Sequence, residues 1–217
     1  KISGAGESEI KVQGVKKLEA SRWNVLFDRI EAGTYLVAGA ITNGHVKVNK
    51  IDPETINIIS EKLMDMGVEV YIGSDFVEVD ATSSDLKAQD IFTEPFPGFP
   101  TDMQAQFMTL NTIASGKCII EETVFENRFQ HVSQLRKMGA DITLNKNKAS
   151  VSGISNLVGA NVSASDLRAS ASLVLAGLVG KNKTEINDIY HIDRGYECIE
   201  EKLNKLGAEI IREPVVY

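Results

Sequence analysis

Hydrophobic residues along the chain alternate between a helical spacing and a strand spacing. Met103, Phe107, Leu110 and Ala114 recur every three or four residues, so they share one face of a predicted helix. In the segment VEVD, at residues 77–80, apolar and polar residues alternate one by one, which is typical of a strand with one face in water. Helical and strand patterns follow each other in the same order along three successive stretches, which indicates an internal repeat.

One phrase of eight residues marks the three stretches. It reads LMDMGVEV at residues 63–70, LRKMGADI at 135–142 and LNKLGAEI at 203–210. Each copy resembles the end of an amphipathic helix, a glycine and the start of a strand, and glycine suits the left-handed position after a helix. An aspartate opens each stretch, at Asp28, Asp102 and Asp166.

Each stretch predicts a helix, a strand, a second helix and a hairpin. The strand segments read HVKVNK, KCIIEETV and TEINDIY, and the hairpins of the first two stretches read VEVYIGSDFVEVD and ADITLNKNKASVSG. We therefore predict an α/β fold, in which one domain holds three repeated helix–strand–helix–hairpin units. The predicted boundaries are residues 15–80, 81–152 and 153–217.

The first residues resemble part of such a hairpin. Gln13-Gly14-Val15 stands where Ser152-Gly153-Ile154 stands in the second hairpin. We expect residues 1–14 to be a partial hairpin from the junction with a missing domain, and the chain to be the back half of a longer protein.

Composition narrows the class of protein. The chain is 43% hydrophobic and 24% charged, and its net charge of −7 argues against a nucleic-acid partner, which would need a basic face. No apolar run approaches the roughly 20 residues that span a membrane, so no membrane partner is expected. Cys118 and Cys198 are not closely spaced, which indicates reduced thiols in a cytoplasmic protein, and we expect both to be buried or half-buried bystanders. The histidines His45, His131 and His191 form no ligand motif, so neither a metal nor a cofactor is expected.

Four arginines occupy unusual positions in the predicted units. Arg29 and Arg168 fall in the first turn of a predicted first helix, and Arg128 and Arg194 fall near the start of a predicted second helix. A cation at a helix N-terminus is unfavourable by about 0.3–1 kcal/mol. Their recurrence indicates a bound anion that uses both the arginines and the free backbone N–H groups. The alternative is that each arginine pairs with a neighbouring acid, as in Asp166 with Arg168 or Asp193 with Arg194.

The three aspartates allow two interpretations as well. Asp28, Asp102 and Asp166 all occupy predicted helix-cap positions, where a carboxylate accepts backbone N–H bonds. Thr101 precedes Asp102 and can itself cap the helix. Its presence leaves the Asp102 carboxylate available for a ligand.

Four motifs carry a resemblance to a known family. FPTDMQAQF (99–107), ETVFENRF (122–129), DLRASASLVLAG (166–177) and YHIDRGYE (190–197) resemble the enolpyruvyl transferases, in particular the branch that acts on UDP-N-acetylglucosamine. The resemblance implies two similar domains, each an inside-out α/β barrel of three units, with the active site in the cleft between them. This chain resembles the second domain.

The resemblance also implies an activity, two substrates and a set of site residues. Enolpyruvate would move from phosphoenolpyruvate to the 3-hydroxyl of UDP-N-acetylglucosamine, in the first committed step of peptidoglycan synthesis. The matching positions are a general base that contacts the hydroxyl (Asp102), contacts to the UDP-sugar (Val124, Phe125), arginines facing phosphoenolpyruvate (Arg128, Arg168, Arg194) and an accompanying acid (Asp166).

The family's proton-donor loop has no counterpart in this sequence. That loop, with its cysteine or aspartate, belongs to the other domain, and neither Cys118 nor Cys198 matches it. We expect the chain alone to be inactive and to need the missing first domain as its partner. The alternative function is a stand-alone binding module for a phosphorylated ligand, without catalysis.

Overall fold

The structure is a computed structural model in which residues 1–214 are described. The last three residues of the third predicted unit, 215–217, lie outside the described residues. The six helices of the described part are Arg29–Ile41 (α1), Asn57–Asp65 (α2), Gln104–Asn111 (α3), Val132–Lys137 (α4), Leu167–Val179 (α5) and Ile199–Lys205 (α6). Its strands are Ile2–Ser3 (β1), Lys11–Val12 (β2), His45–Asn49 (β3), Glu69–Ile72 (β4), Phe76–Asp80 (β5), Ile91–Phe92 (β6), Lys117–Glu121 (β7), Asp141–Asn145 (β8), Lys148–Ser152 (β9), Asn161–Ser163 (β10) and Glu185–Asn187 (β11).

The glycines of the repeated phrase end the second helix of each stretch, as predicted. Gly67, Gly139 and Gly207 have φ of +92°, +91° and +101°, a left-handed conformation that glycine adopts without a steric penalty. Each follows a helix (α2, α4 or α6) by two residues. The two predicted hairpins are confirmed as β4–β5 and β8–β9.

The sheets are small, and two of them contain parallel pairs that the sequence patterns did not predict. β3, β5 and β4 form an antiparallel sheet, and β7, β9 and β8 form another. β6 adds to β7 in parallel, and β10 pairs with β11 in parallel. β6 has two residues and β10 has three, which is too short for an alternating pattern to be visible.

Three central helices form the core of this mixed α/β fold. α1, α3 and α5 contact one another, and Leu36, Phe107 and Leu173 are fully buried among them. All eight residues of α3 are buried, including the polar Gln104 and Gln106. A helix that is buried on every side belongs in the middle of a domain, whereas α2 buries only one face.

The three central helices run side by side in the same direction. Residues at their C-terminal ends, Ile41, Ala114 and Val179, line one cavity of about 630 Å³. Their N-terminal ends meet at the opposite end of the domain. Parallel helices add their partial positive charges at the N-terminal end, which prepares that end for an anion.

The segment before α1 differs from the rest of the domain. β1 and β2 form an antiparallel pair with Ile2 opposite Val12, and residues 13–28 have no regular structure. Leu18, Trp23 and Val25 in this segment are 85%, 85% and 93% exposed. Within residues 1–214, none of the helices has the length and apolar character needed to cross a membrane.

Candidate functional site

Asp102 joins two arginines from distant parts of the chain. Its Oδ1 accepts a hydrogen bond from Arg128 Nη2 at 2.5 Å, and its Oδ2 accepts one from Arg168 Nη2 at 2.9 Å. The side chains of the two arginines are 18% and 13% exposed, and that of Asp102 is 36% exposed. The carboxylate therefore remains within reach of a ligand while both of its oxygens are already used.

The three aspartates do not have the same role: the capping interpretation holds for Asp28 and Asp166 but not for Asp102. Asp28 accepts from the N–H groups of Ile30 and Glu31, and Asp166 accepts from those of Arg168 and Ala169.

Asp102 instead lies inside a 3-10 turn, Thr101–Met103, which precedes α3 and has no side-chain cap. Thr101 does not cap the helix either, because its hydroxyl donates to Glu122 Oε2 at 2.9 Å. The Asp102 carboxylate is thus not used in the backbone of its own helix.

Glu122 organises the loop that carries the next site residues. It is only 4% exposed, and its Oε1 accepts from the Thr93 hydroxyl at 2.8 Å and from the N–H groups of Val124 and Phe125 at 2.9 and 3.0 Å. With Thr101, four donors meet one buried carboxylate, so its charge is well compensated. Sequence reasoning missed Glu122, since its one signal is a charged residue directly after an apolar strand.

Arg128 is held on three sides. Its Nε donates to the Thr101 hydroxyl at 3.2 Å, its Nη2 binds Asp102, and its guanidinium stacks over the Phe125 ring at 4.8 Å. Val124 and Phe125 are 44% and 53% exposed. The structure therefore places the two predicted UDP-sugar contacts beside the predicted anion site.

Two of the four arginines do not lie where the helix argument placed them. Arg128 lies in the loop before α4, and Arg194 ends the 3-10 turn Ile189–Arg194, five residues before α6. The helix-dipole argument therefore applies only to Arg29 and Arg168. Several residues of loop and turn separate β7 from α4, and the same is true between β11 and α6. The hydrophobic spacing in the sequence did not reveal these intervening residues.

Ion pairs with acidic residues close in sequence do not explain the positions of Arg168 and Arg194. Asp166 accepts from the backbone N–H of Arg168, not from its guanidinium. Asp193 pairs with Arg212 at 2.8 and 3.1 Å, not with Arg194.

Arg194 is exposed and has no ion pair among residues 1–214. Its turn packs against the start of α5, since a Cβ on Gly195 would stand 3.0 Å from Leu167. Arg194 is thus near the site but is not joined to Asp102.

The neighbouring positive charges change the acidity of Asp102. Burial acts to raise the pKa of Asp102, but the hydrogen bond from Arg168 and the positive charges of Arg168, Arg128 and Arg29 lower it overall. Burial acts against the charge of Arg168, yet Asp102 and Tyr196 raise its pKa overall. Two guanidinium groups therefore contact one ionised carboxylate and the charge of a third acts on it, which leaves an excess of positive charge for an anion.

Arg29 is the third of these guanidinium groups, and it stacks over the ring of Phe96 at 5.3 Å. It lies at the first position of α1, so each central helix contributes a charged residue near its N-terminal end. The cavity at the C-terminal ends is lined by neither Asp102 nor these arginines. The charged side chains therefore gather at the opposite end of the domain from this cavity.

The two cysteines lie apart from this site. Cys118 is buried, and burial raises the pKa of its thiol to about 12, which makes it a poor nucleophile. Cys198 is exposed, with φ of +44° just before α6, so the expectation that both thiols are at least half-buried is wrong for Cys198. Among residues 1–214 there is no group of three or more His, Cys, Asp or Glu side chains that could hold a metal ion.

Comparisons with known proteins show the family of the chain. Residues 1–203 match the family model described as EPSP synthase (3-phosphoshikimate 1-carboxyvinyltransferase). UDP-N-acetylglucosamine 1-carboxyvinyltransferases from Coxiella burnetii, strains Dugway 5J108-111 and RSA 493, are 55% identical over 212 residues, which is 98% of this chain and 49% of each relative. The chain thus spans about half the length of the curated relatives that it matches.

Solved structures show the same fold. The enolpyruvyl transferase NikO from Streptomyces tendae has a TM-score of 0.75 and 28% identity, with 85% of this chain and 44% of that chain covered. An EPSP synthase from Acinetobacter baumannii has a TM-score of 0.68 at 19% identity, with 87% and 48% covered.

Proposed function

Because the chain belongs to the EPSP synthase family of enolpyruvyl transferases, we propose that it is half of an enzyme that moves enolpyruvate from phosphoenolpyruvate to the 3-hydroxyl of UDP-N-acetylglucosamine. The observation that carries the proposal is the carboxylate of Asp102 held between Arg128 and Arg168. The choice of sugar substrate rests on the 55% identity to relatives named for that reaction. The reaction would be the first committed step of peptidoglycan synthesis, in the cytoplasm.

The arginines suit the first substrate. Phosphoenolpyruvate carries a phosphate and a carboxylate, and planar guanidinium groups bind such anions through paired hydrogen bonds. Arg128 and Arg168 are largely buried, so their charges are poorly screened by water. Arg194 is exposed and adjacent to the start of α5, where it could close over the bound anion.

Asp102 suits the second substrate as the group that takes the hydroxyl proton. As the sugar oxygen bonds to the enol carbon, its proton passes to a carboxylate oxygen of Asp102, and the double bond breaks as the methylene carbon takes a proton from the donor expected in the other domain. Loss of a proton from the resulting methyl group and of phosphate then restores the double bond, and the arginines stabilise the departing phosphate. In the ligand-free chain the lowered pKa makes Asp102 a weak base. An anion bound to Arg128 and Arg168 cancels part of their field, so the first substrate itself would strengthen the base.

The other predicted site residues shape the site without carrying its charge. Asp166 caps α5 through the N–H groups of Arg168 and Ala169, so we assign it the role of fixing the start of that helix. The exposed Val124 and Phe125 form the surface available to the UDP-sugar.

We also propose that the three stretches are true repeats of one unit, with boundaries at 15–80, 81–152 and 153–217. The three together would form one inside-out α/β barrel. The mutual packing of α1, α3 and α5 supports this proposal. The exposed apolar residues Leu18, Trp23 and Val25 would then contact the other domain of the full-length protein, across whose cleft the active site is completed.

The experiment is phosphate release by the full-length protein. With phosphoenolpyruvate and UDP-N-acetylglucosamine together, release should be observed. With 3-phosphoshikimate in place of the UDP-sugar, it should be absent. The 217-residue chain alone should release no phosphate, because the proton-donor loop is expected elsewhere. Binding of both ligands by the full-length protein without turnover would instead support a binding module, and turnover by the chain alone would show that the proton donor is misassigned.

A further inference from the structure

The carboxylate of Glu122 is joined to Arg128 through one hydroxyl group. The Thr101 hydroxyl donates to Glu122 Oε2 at 2.9 Å, and Nε of Arg128 donates to the same hydroxyl oxygen at 3.2 Å. Arg128 also donates through Nη2 to Oδ1 of Asp102. Hydrogen bonds thus run without interruption from a buried carboxylate, through Thr101 and Arg128, to the carboxylate of Asp102.

The direction of the proton on Thr101 follows from its two neighbours. An ionised carboxylate can only accept hydrogen bonds, and a guanidinium can only donate them. The Thr101 O–H therefore points at Glu122, and this leaves the lone pairs of its oxygen for Nε of Arg128. Without the carboxylate the hydroxyl would be free to turn its hydrogen toward Arg128, where donor would meet donor.

Glu122 is itself anchored independently of Arg128. Its Oε1 accepts from the N–H groups of Val124 and Phe125, and its own N–H donates to the carbonyl of Asn147, in the turn between β8 and β9, at 2.8 Å. Because Glu122 is only 4% exposed, water competes little for these bonds. The carboxylate is thus a fixed point of the scaffold against which a long, flexible side chain can be oriented.

We propose that Glu122 is a positioning residue that sets the orientation of the Arg128 guanidinium through the Thr101 hydroxyl. This inference deepens the proposed function and rests on it for its kinetic part. Among residues 1–214, the hydrogen bonds of the Arg128 side chain use only Nε and Nη2, so its other N–H donors remain for an anion. Arginine has many rotamers, and ordering it when the anion binds costs free energy that a preset orientation avoids.

The kinetic test is Thr101→Val in the full-length protein, which breaks this link and keeps the shape of the side chain. The KM for phosphoenolpyruvate should rise about tenfold, the effect of losing one hydrogen bond to a charged group. The KM for the UDP-sugar should stay within about twofold, because Glu122 still holds the N–H groups of Val124 and Phe125. An unchanged KM for phosphoenolpyruvate would overturn the positioning role.

Two further variants identify the hydroxyl as the cause. Thr101→Ser keeps the hydroxyl and should restore the KM for phosphoenolpyruvate. Thr109→Val removes a buried hydroxyl from α3, which directly follows the turn of Thr101; that hydroxyl donates to the carbonyl of Ala105 at 3.0 Å, away from the site. Thr109→Val should therefore change neither KM. A rise equal to that in Thr101→Val would be a general effect of packing and would contradict the proposal.

Glu122→Gln tests the same link from its other end and covers the case in which Thr101→Val does not fold. The single amide oxygen should face the three donors at the Oε1 position, from Thr93, Val124 and Phe125, so the amide nitrogen faces Thr101. The KM for phosphoenolpyruvate should again rise, although removing a negative charge would by itself favour an anion. A fall in this KM would show that Glu122 acts through its charge and not through position.

A second measurement does not depend on turnover. In nitrogen NMR of the full-length protein, the Nε–H signal of Arg128, identified by its loss in Arg128→Lys, should exchange slowly with water. In Glu122→Gln it should exchange faster, although the Thr101 hydroxyl is still present, and inorganic phosphate should bind more weakly. Glu121→Gln, at the surface, should change neither.

The two measurements separate the positioning role from the proposed reaction. Unchanged exchange of Nε–H and unchanged phosphate affinity in Glu122→Gln would overturn the positioning role of Glu122. If both change but no protein releases phosphate from phosphoenolpyruvate, the positioning role stands and the proposed reaction fails.

Discussion

Substitution of Asp102 is expected to affect the reaction rate much more than the stability of the fold. In the full-length enzyme, Asp102→Ala should lower kcat by about 10²–10⁴-fold, the usual contribution of a general base. Alanine can neither orient the sugar hydroxyl nor accept its proton. The measurement is the rate of phosphate release at saturating substrates, together with the free energy of unfolding in denaturant.

Asp28→Ala is the control for this substitution. Asp28 only caps α1, so its removal should cost about 0.5–2 kcal/mol of stability and little rate. Similar, small rate losses in both variants would leave Asp102 without a catalytic role.

Glu122 provides a residue-scale test of how the site loop is held. Glu122→Gln replaces a carboxylate oxygen by an amide that donates, in a place where all four neighbours already donate. We expect a loss of about 1–3 kcal/mol in the free energy of unfolding, the penalty for unsatisfied buried polar groups.

The adjacent Glu121 is the matched control, because it is paired with Lys148 at the surface, at 2.9 Å. Glu121→Gln should cost less than about 1 kcal/mol. If Glu122→Gln and Glu121→Gln lower the free energy of unfolding equally, the buried carboxylate of Glu122 does not anchor the loop.

His131 should make stability depend on pH in a defined window. It is 2% exposed, and burial lowers its pKa to about 4, with Asp166 acting to raise it and Arg128 to lower it. Between about pH 6.5 and pH 4 the unfolded chain binds a proton that the folded chain refuses. Stability should therefore fall as the pH is lowered through this window, by up to about 3 kcal/mol at 1.36 kcal/mol per unit.

Urea unfolding at several pH values measures this slope. His131→Gln should remove it, and His45→Asn, at an exposed position, should retain it because His131 is intact. If the free energy of unfolding of His131→Gln still falls as the pH is lowered, another titratable group causes the pH dependence.

At the scale of elements, the helix ends show what sequence patterns can and cannot give. The repeated phrase predicted three left-handed glycines because a single residue type meets that steric demand. The caps at Asp28 and Asp166 were also predicted, whereas for Asp102 the pattern left both a cap and a ligand-binding role open, since the two look alike in sequence. What differs is a 3-10 turn at Thr101–Met103, which has no side-chain cap and in which the Thr101 hydroxyl donates to Glu122.

Gly207 tests the cost of the left-handed helix end by itself. Its φ is +101°, and a Cβ there would meet nothing within 4 Å, so Gly207→Ala introduces backbone strain without a clash. We expect a loss of about 1–2 kcal/mol in the free energy of unfolding. Gly14 also has open space around it and does not have a positive φ, so Gly14→Ala should have almost no effect. If both substitutions changed the free energy of unfolding equally, the left-handed conformation of Gly207 would not contribute to stability.

At the scale of the whole molecule, hydrophobic periodicity predicted an α/β chain but not how its parts come together. Nothing local to Asp102 indicates that Arg168 will reach it, since 66 residues separate them. The resemblance to the family named both residues, and the geometry shows the physical reason: the N-terminal ends of parallel helices collect the charges. The short parallel strands β6 and β10 stayed hidden because their pairing partners, not their own residues, define them.

The distances along the chain between bonded partners have a consequence for how the domain folds. The hairpins β4–β5 and β8–β9 join neighbours in sequence, whereas Thr34 and Tyr196 are 162 residues apart, and Glu31 and Lys202 are 171 apart. Contacts that close long loops form slowly. We therefore expect the hairpins to appear early in refolding and the anion site to appear last, so that phosphate binding reports completion of the native state and not merely its collapse.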